Sequence, residues 1–293
     1  MTSNLPRLHY LKHWDAAIAA IALCGMFLIP VIEVLLRPFQ GSGIDNAPVL
    51  VQHLGLLFSL AGAIYAERTG HLTSLGALWQ KISNPFAQSL ARAWVFLGAA
   101  LICGVLAQAS YALVMSEIDT QHTIAYGIPT WLFLSALPFG FTVLGLKFGP
   151  QWHAKAWLGW PATLLVTTAS WFASDWLATA AIPLWMSCAA VLLFLILGGP
   201  VFLVLGGLSW VLFSSENIPM ASLALSHYQI TVNPSLPALP LFTLAGLIFA
   251  STGAAQRLGA VFVALFGGGK TGTVIAATVL CSCFTAFTGG SGV

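Results

Sequence analysis

Gly267-Gly268-Gly269-Lys270-Thr271 has the ingredients of a phosphate cradle, a glycine-rich turn followed by a lysine and a hydroxyl. A phosphate loop also needs a glycine five residues before its Gly-Lys-Thr end and a strand leading into it. That position is Ala264, and no strand pattern precedes it. The run therefore reads as a tight turn before a helix, with Thr271 or Thr273 as cap. Cys281 and Cys283 match neither a zinc knuckle nor a redox pair, and all five cysteines (24, 103, 188, 281, 283) fall in apolar runs, where a thiol packs as a small hydrophobe. There is no HExxH, no GxSxG and no aspartate pair within an apolar run. His71 follows Gly70 in a polar loop and reads as a solvated cap, not a proton relay. With no nucleophile beside a base, the chain is not read as an enzyme.

Two other groups carry more information. Glu33 and Arg37 are four apart and share a helix face. Glu33 lies 18 residues beyond Asp15, about 27 Å along a helix, which puts an ion pair at a membrane interface. The second group is Phe284-Thr-Ala-Phe-Thr288-Gly-Gly290-Ser291-Gly292-Val293, an apolar helix ending in glycines and hydroxyls. Counted from Val274, that helix has about 14 residues and spans about 21 Å, less than the roughly 30 Å hydrocarbon core of a bilayer. Two readings stay open. One is a re-entrant break whose carbonyls and hydroxyls surround a cation; the other is a glycine-rich packing surface between helices.

The elements that must position these groups are set by composition. Of 293 residues, 58% are apolar and 6% charged, against about 25% charged in a soluble domain, and the mean hydropathy is +0.91. Such a chain cannot coat a globule with solvated groups, so lipid is its solvent. A net charge of +2 gives no basis for nucleic-acid binding. Apolar runs at 16–36, 48–66, 93–115, 128–146, 156–172, 182–213, 236–250 and 274–287 predict an all-α, polytopic helical membrane protein of about eight spans. The run 182–213 is too long for one span and carries Gly198-Gly199-Pro200 at its middle, which predicts two short helices or one kinked helix. Leu72, Leu75, Leu78, Trp79 and Ile82 recur at helical spacing and predict a short interfacial helix. The first run is longer than a signal-peptide core and reads as a retained helix. With a cytoplasmic N-terminus, Arg7, Lys12, Arg68, Lys81, Arg92, Lys147 and Lys155 fall inside and Arg37 alone outside, which orients the chain. Residues 216–234 then form an outer segment.

The motifs in order resemble the tripartite ATP-independent periplasmic (TRAP) transporters. Residues 1–150, with Glu33-Val-Leu-Leu-Arg37 and Arg68-Thr-Gly-His71-Leu, are similar to the small membrane subunit, a four-helix scaffold. From about Leu192 the chain resembles the start of the large subunit. The stretches concerned are Gly198-Gly-Pro-Val-Phe-Leu-Val-Leu-Gly206-Gly, Pro240-Leu-Phe-Thr-Leu-Ala-Gly246, Thr252-Gly-Ala-Ala-Gln-Arg257-Leu and Phe284-Thr-Ala-Phe-Thr288-Gly-Gly-Ser-Gly292. The resemblance implies a scaffold at 1–150, a connecting helix at 151–178 and the N-terminal part of a large transport subunit at 179–293. It implies a multi-pass protein of the bacterial inner membrane that uses sodium to import organic acids of dicarboxylate type, delivered by a periplasmic substrate-binding protein. Ala254 to Phe266 would be an amphipathic arm, and Thr288 to Gly292 the tip of a re-entrant hairpin. Na⁺ would be the coupling ion, with Ser291, Thr288, Gly290 and Gly292 as its oxygen donors. A complete large subunit continues well past Val293, so this polypeptide alone is expected not to transport. A non-transporting membrane scaffold or assembly subunit is the alternative. The substrate itself is not named by any residue here.

Overall fold

Proline, glycine and asparagine punctuate the apolar runs, and helices begin and end where they fall. The computed structural model describes residues 14–40, 43–72, 74, 78–148, 156–179, 183–267 and 269–288. Among these the order is α1 (Trp14–Gln40), α2 (Ala47–Thr69), α3 (Pro85–Thr120), α4 (Thr130–Leu134), α5 (Ala136–Lys147), α6 (Ala156–Thr179), α7 (Leu184–Leu197), α8 (Val201–Ser215), α9 (Met220–Thr231), α10 (Ala238–Ser251), α11 (Ala254–Phe266) and α12 (Lys270–Thr288). The protein is all-α, and no strand occurs among the described residues. Among the described residues, four segments are long and apolar enough to cross a membrane: Trp14–Phe39, Ala47–Thr69, Pro85–Thr120 and Thr130–Lys147.

Local chemistry explains the boundaries. Asn84 accepts the Phe86 N–H at 3.0 Å through Oδ1 while Pro85 opens α3 with a preset φ. At the end of α2, Gly70 takes φ 73°, its N–H bonds Glu67 O at 3.2 Å, and the His71 N–H bonds Ala66 O at 2.8 Å. This double closure stops the helix one residue after Thr69. His71 is exposed just past that cap, as expected. Between α7 and α8, Gly198 takes φ 110°, a Cβ on Gly199 would overlap the Phe194 ring, and Pro200 removes a donor. The long run is thus two helices, not one kinked helix.

Three helix ends meet on one carboxylate. Asp15, in the first turn of α1, is fully buried, with Arg68 Nη1 at 2.9 Å and Lys147 Nζ at 3.6 Å. Arg68 ends α2 and Lys147 ends α5, and Lys147 Nζ also donates to Ile64 O at 3.3 Å. The opposite end carries the expected ion pair, Arg37 Nη2 to Glu33 Oε1 at 2.6 Å. Between the two ends α3 is the axis, with α5, α6 and α9 against it and α7 and α8 along its first half. Its buried face includes Ala99, Cys103, Ala107 and Leu113. Here packing is close enough to require missing side chains. A Cβ on Gly104 would overlap Ser170 of α6, and one on Gly145 would come within 2.9 Å of Cys103 Cβ. Thr163, Thr167 and Ser170 form the buried polar stripe of α6 that fits this seam.

Three expectations are corrected. Residues 72–82 do not form a helix over their described positions: Ser74 bridges Pro200, and only Leu78–Lys81 makes a turn of 3₁₀ helix. Backbone engaged in that bridge is not available to an α-helix. The outer segment 216–234 contains an unforeseen helix, α9. Finally, α12 starts at Lys270 and not at Val274, so it has 19 residues, about 28 Å, and its length no longer argues for a stop inside the bilayer. Thr273 Oγ1 donates back to Gly269 O at 3.1 Å and so does not cap the helix start. The amphipathic segment has the expected limits, with Leu258, Val261 and Leu265 as its exposed apolar stripe.

Asp15→Ala removes the shared partner of Arg68 and Lys147 and is expected to lower the unfolding midpoint in detergent, by less than the about 3–5 kcal/mol of a fully buried pair because both cations keep some exposure. Glu33→Ala, at an exposed pair, is expected to cost less than about 1 kcal/mol. Gly104→Ala is expected to pry α6 from α3 at about 1–3 kcal/mol. Gly62→Ala, where an added Cβ meets nothing within 4 Å, is expected to leave the same midpoint unchanged.

Candidate functional site

The residues expected to hold a cation are not placed by the structure. Gly290, Ser291 and Gly292 lie outside the described residues, and Thr288 is the last described residue of α12, its side chain outside the description. What the structure does assemble is a joint between the first 150 residues and the helices after them, built in three layers along α3.

At the Asp15 end the joint is backbone and aromatic contact. Ser74 bridges Pro200, and Phe194 of α7 fills the space left by Gly98 of α3, whose Cβ would sit 3.3 Å from its ring. Next to this contact α3, α6, α7 and α8 border an open cleft of about 470 Å³ lined by Trp94, Leu97, Val166, Val191, Phe194 and Trp210, among others. No ionisable group lines it. Such a cleft offers apolar contact but no proton, nucleophile or metal ligand.

The middle layer is the α6 seam, continued on α8 by Gly206 and Gly207. A Cβ on either would come within 3.0 Å of Leu106 or Ile102. Small residues let two backbones approach where lipid supplies no hydrophobic force between helices.

The third layer, at the far end, is polar. His53 of α2 is 3% exposed, with Nδ1 2.7 Å from Val49 O and Nε2 2.7 Å from the Tyr228 hydroxyl of α9. The Phe133 and Tyr228 rings stand 5.2 and 5.8 Å from the imidazole. Beside them, His227 packs its ring edge-on to Phe141 at 5.6 Å. The His227 side chain stays exposed along its other edge. Burial, and then the charge of Glu117, push the Tyr228 phenol up to about 12, so it stays a donor. Glu117 Oε1 is 3.0 Å from His122 Nδ1. The following loop is tied to the start of α2: Asn46 Nδ2 donates to Ile124 O at 2.9 Å, and the Asp45 N–H donates to the Tyr126 hydroxyl at 3.0 Å. Tyr126 holds φ 50°, a conformation that bulky residues adopt only under tertiary constraint.

The four long helices with cations at one end and a capped polar loop at the other coincide with the stretch that is similar to a known family. Residues 26–150 match the family model of the tripartite ATP-independent periplasmic transporters, DctQ component. No curated protein and no solved structure matches the chain. The DctQ-like domain runs from the middle of α1 through α5 and contains Arg68, Lys147, His53 and Glu117. The family that this stretch resembles is a component of membrane transport systems. Its partners in the joint, Phe194, Pro200, Gly206 and Tyr228, all lie beyond the match.

Sequence reasoning did not foresee Asp15, Arg68 and Lys147 as a cluster, nor the contact between His53 and Tyr228. An ionisable residue inside an apolar run was the available signal for His53. Nothing marked Tyr228.

Proposed function

We propose that this chain is a membrane component of a sodium-coupled secondary transporter that imports organic acids, of dicarboxylate type, handed over by a periplasmic binding protein. In this reading residues 1–150 are the scaffold, 151–178 connect, and 179–293 are the opening part of the large transport subunit. The observation that carries it is the DctQ-component match over residues 26–150, joined through α3 to short, broken apolar helices of the kind transporters use near substrate.

The Asp15 end, with Arg68, Lys81, Arg92 and Lys147 around it, is the cytoplasmic end by the loop-charge rule. The end with Glu33, Glu117 and His122 then faces the periplasm of an inner-membrane protein. Ser291, Thr288 and the carbonyls of Gly290 and Gly292 would give a sodium ion the oxygen donors that hard cations take. The chain's contribution to transport is positional: a DctQ-like domain, locked at both ends, against which the downstream helices are held while other parts move.

A second reading, a scaffold that does not itself transport, is favoured by one observation. The helices α10–α12 pack mainly on one another, and of the main bundle α10 reaches α1.

Uptake of labelled dicarboxylates into proteoliposomes, driven by an inward sodium gradient in the presence of a binding protein, separates the two. The transport reading expects uptake by the product of the full gene that collapses without the sodium gradient. Ser291→Ala is expected to raise the sodium concentration needed for half-maximal uptake by about tenfold, as for loss of one charged-group contact. Sodium-independent uptake would sink the coupling, and no uptake by a well-folded full-length product would leave the scaffold reading.

A further inference from the structure

Lipid gives apolar helices no reason to prefer one register over the next, because sliding by a turn exchanges one set of hydrocarbon contacts for another. The α3 face that meets α7 and α8 is of this kind, glycines against leucine, isoleucine and phenylalanine. Something with fixed geometry has to set where the helices beyond residue 150 stop on the DctQ-like domain.

At α9 the structure holds such a contact. The Val49 carbonyl can only accept, so His53 Nδ1, 2.7 Å away, carries the proton. The ring is thereby fixed in one tautomer, and Nε2 presents its lone pair to the Tyr228 hydroxyl, 2.7 Å away and 175 positions along the chain. Rotation of the ring is blocked by Phe133 on one side and the Tyr228 ring on the other. Met220, Leu223 and Ala224 bury the rest of that face of α9. A shift of one residue along α9 would carry the hydroxyl about 1.5 Å along the axis and 100° around it, leaving His53 Nε2 buried without a partner and the half-buried hydroxyl unpaired.

We propose that His53 and Tyr228 are the positioning pair that sets the register of α9, and with it the α8–α10 passage, on the DctQ-like domain. The pair acts as a two-part key. Val49 orients the imidazole within α2, and the oriented imidazole admits a phenol at one place on α9. The inference stands on this geometry and not on the transport reading, so absence of uptake leaves it intact.

The test is a double-substitution cycle on the full chain in lipid nanodiscs, reading amide exchange across α9 and the ¹⁵N resonances of His53. Tyr228→Phe strands the buried His53 Nε2, His53→Phe leaves the half-buried Tyr228 hydroxyl unpaired, and each is expected to speed α9 exchange, Tyr228→Phe by about tenfold. The double variant strands none and is expected to return to within about threefold of the parent. In the parent, Nδ1 is expected to resonate as a protonated nitrogen and Nε2 as a bare acceptor, and Tyr228→Phe is expected to move Nε2 while leaving Nδ1. Parent-like exchange in Tyr228→Phe would mean that Tyr228 only fills space and would overturn the proposal. So would single effects that simply multiply in the double variant. Should His53→Phe fail to fold, the Nε2 resonance in Tyr228→Phe decides the matter, and an unmoved resonance refutes the pairing.

Discussion

A carboxylate fully withdrawn from solvent must be matched by positive charge, and Asp15 is matched from two other helices at once. Taking a carboxylate out of water costs several kcal/mol even after relaxation, so α1, α2 and α5 are obliged to bring their ends to one level. Arg68 and Lys147 are only partly buried, which lets their charged heads keep some water while their stems line the site. The double closure at Gly70 serves the same end, because it stops α2 where Arg68 can reach across. Once these three ends are level, the tilt and depth of the remaining helices follow from contacts with α3.

The means of cohesion change with depth. Ion pairing holds the Asp15 end. The middle, among Gly104, Gly145, Gly206 and their neighbours, is held by close approach and dispersion, which is the force left to helices once lipid has replaced water. At the far end hydrogen bonds hold α9 and the loop after α3. The helices α10–α12 take little part in any of these layers and pack mainly on one another.

Much of this is legible in the residues. In lipid the backbone must satisfy itself, which leaves helix as the state of long apolar runs, and among the described residues each of the eight runs contains helix. The break at Gly198-Gly199-Pro200 is equally legible, because proline and a positive φ are local chemistry. What cannot be read are facts that belong to pairs of distant residues. Asp15 heads its run in plain view, but no local pattern selects Arg68 and Lys147 from ten basic residues. Met220–Thr231 mixes Ser222, Ser226, His227 and Tyr228 into an apolar pattern and reads as loop; it is helical because docking buries Met220, Leu223 and Ala224. The converse holds at residues 72–82. Their leucines keep a helical period, yet nucleating so short a helix is costly, and the bridge from Ser74 to Pro200 takes the backbone elsewhere.

The order of the Asp15 partners along the chain has a consequence for how the molecule is made. Arg68 follows Asp15 by 53 residues and Lys147 by 132. At roughly 5–20 residues per second, the carboxylate waits on the order of ten seconds after its own synthesis for the second cation. During that interval Asp15 has the Arg68 guanidinium of α2 as its partner, and the third helix end is still to come. The domain closes only when the end of α5 leaves the ribosome, so the stretch through Lys147 is a natural checkpoint in biogenesis, reached before any of the downstream helices need a surface to dock on.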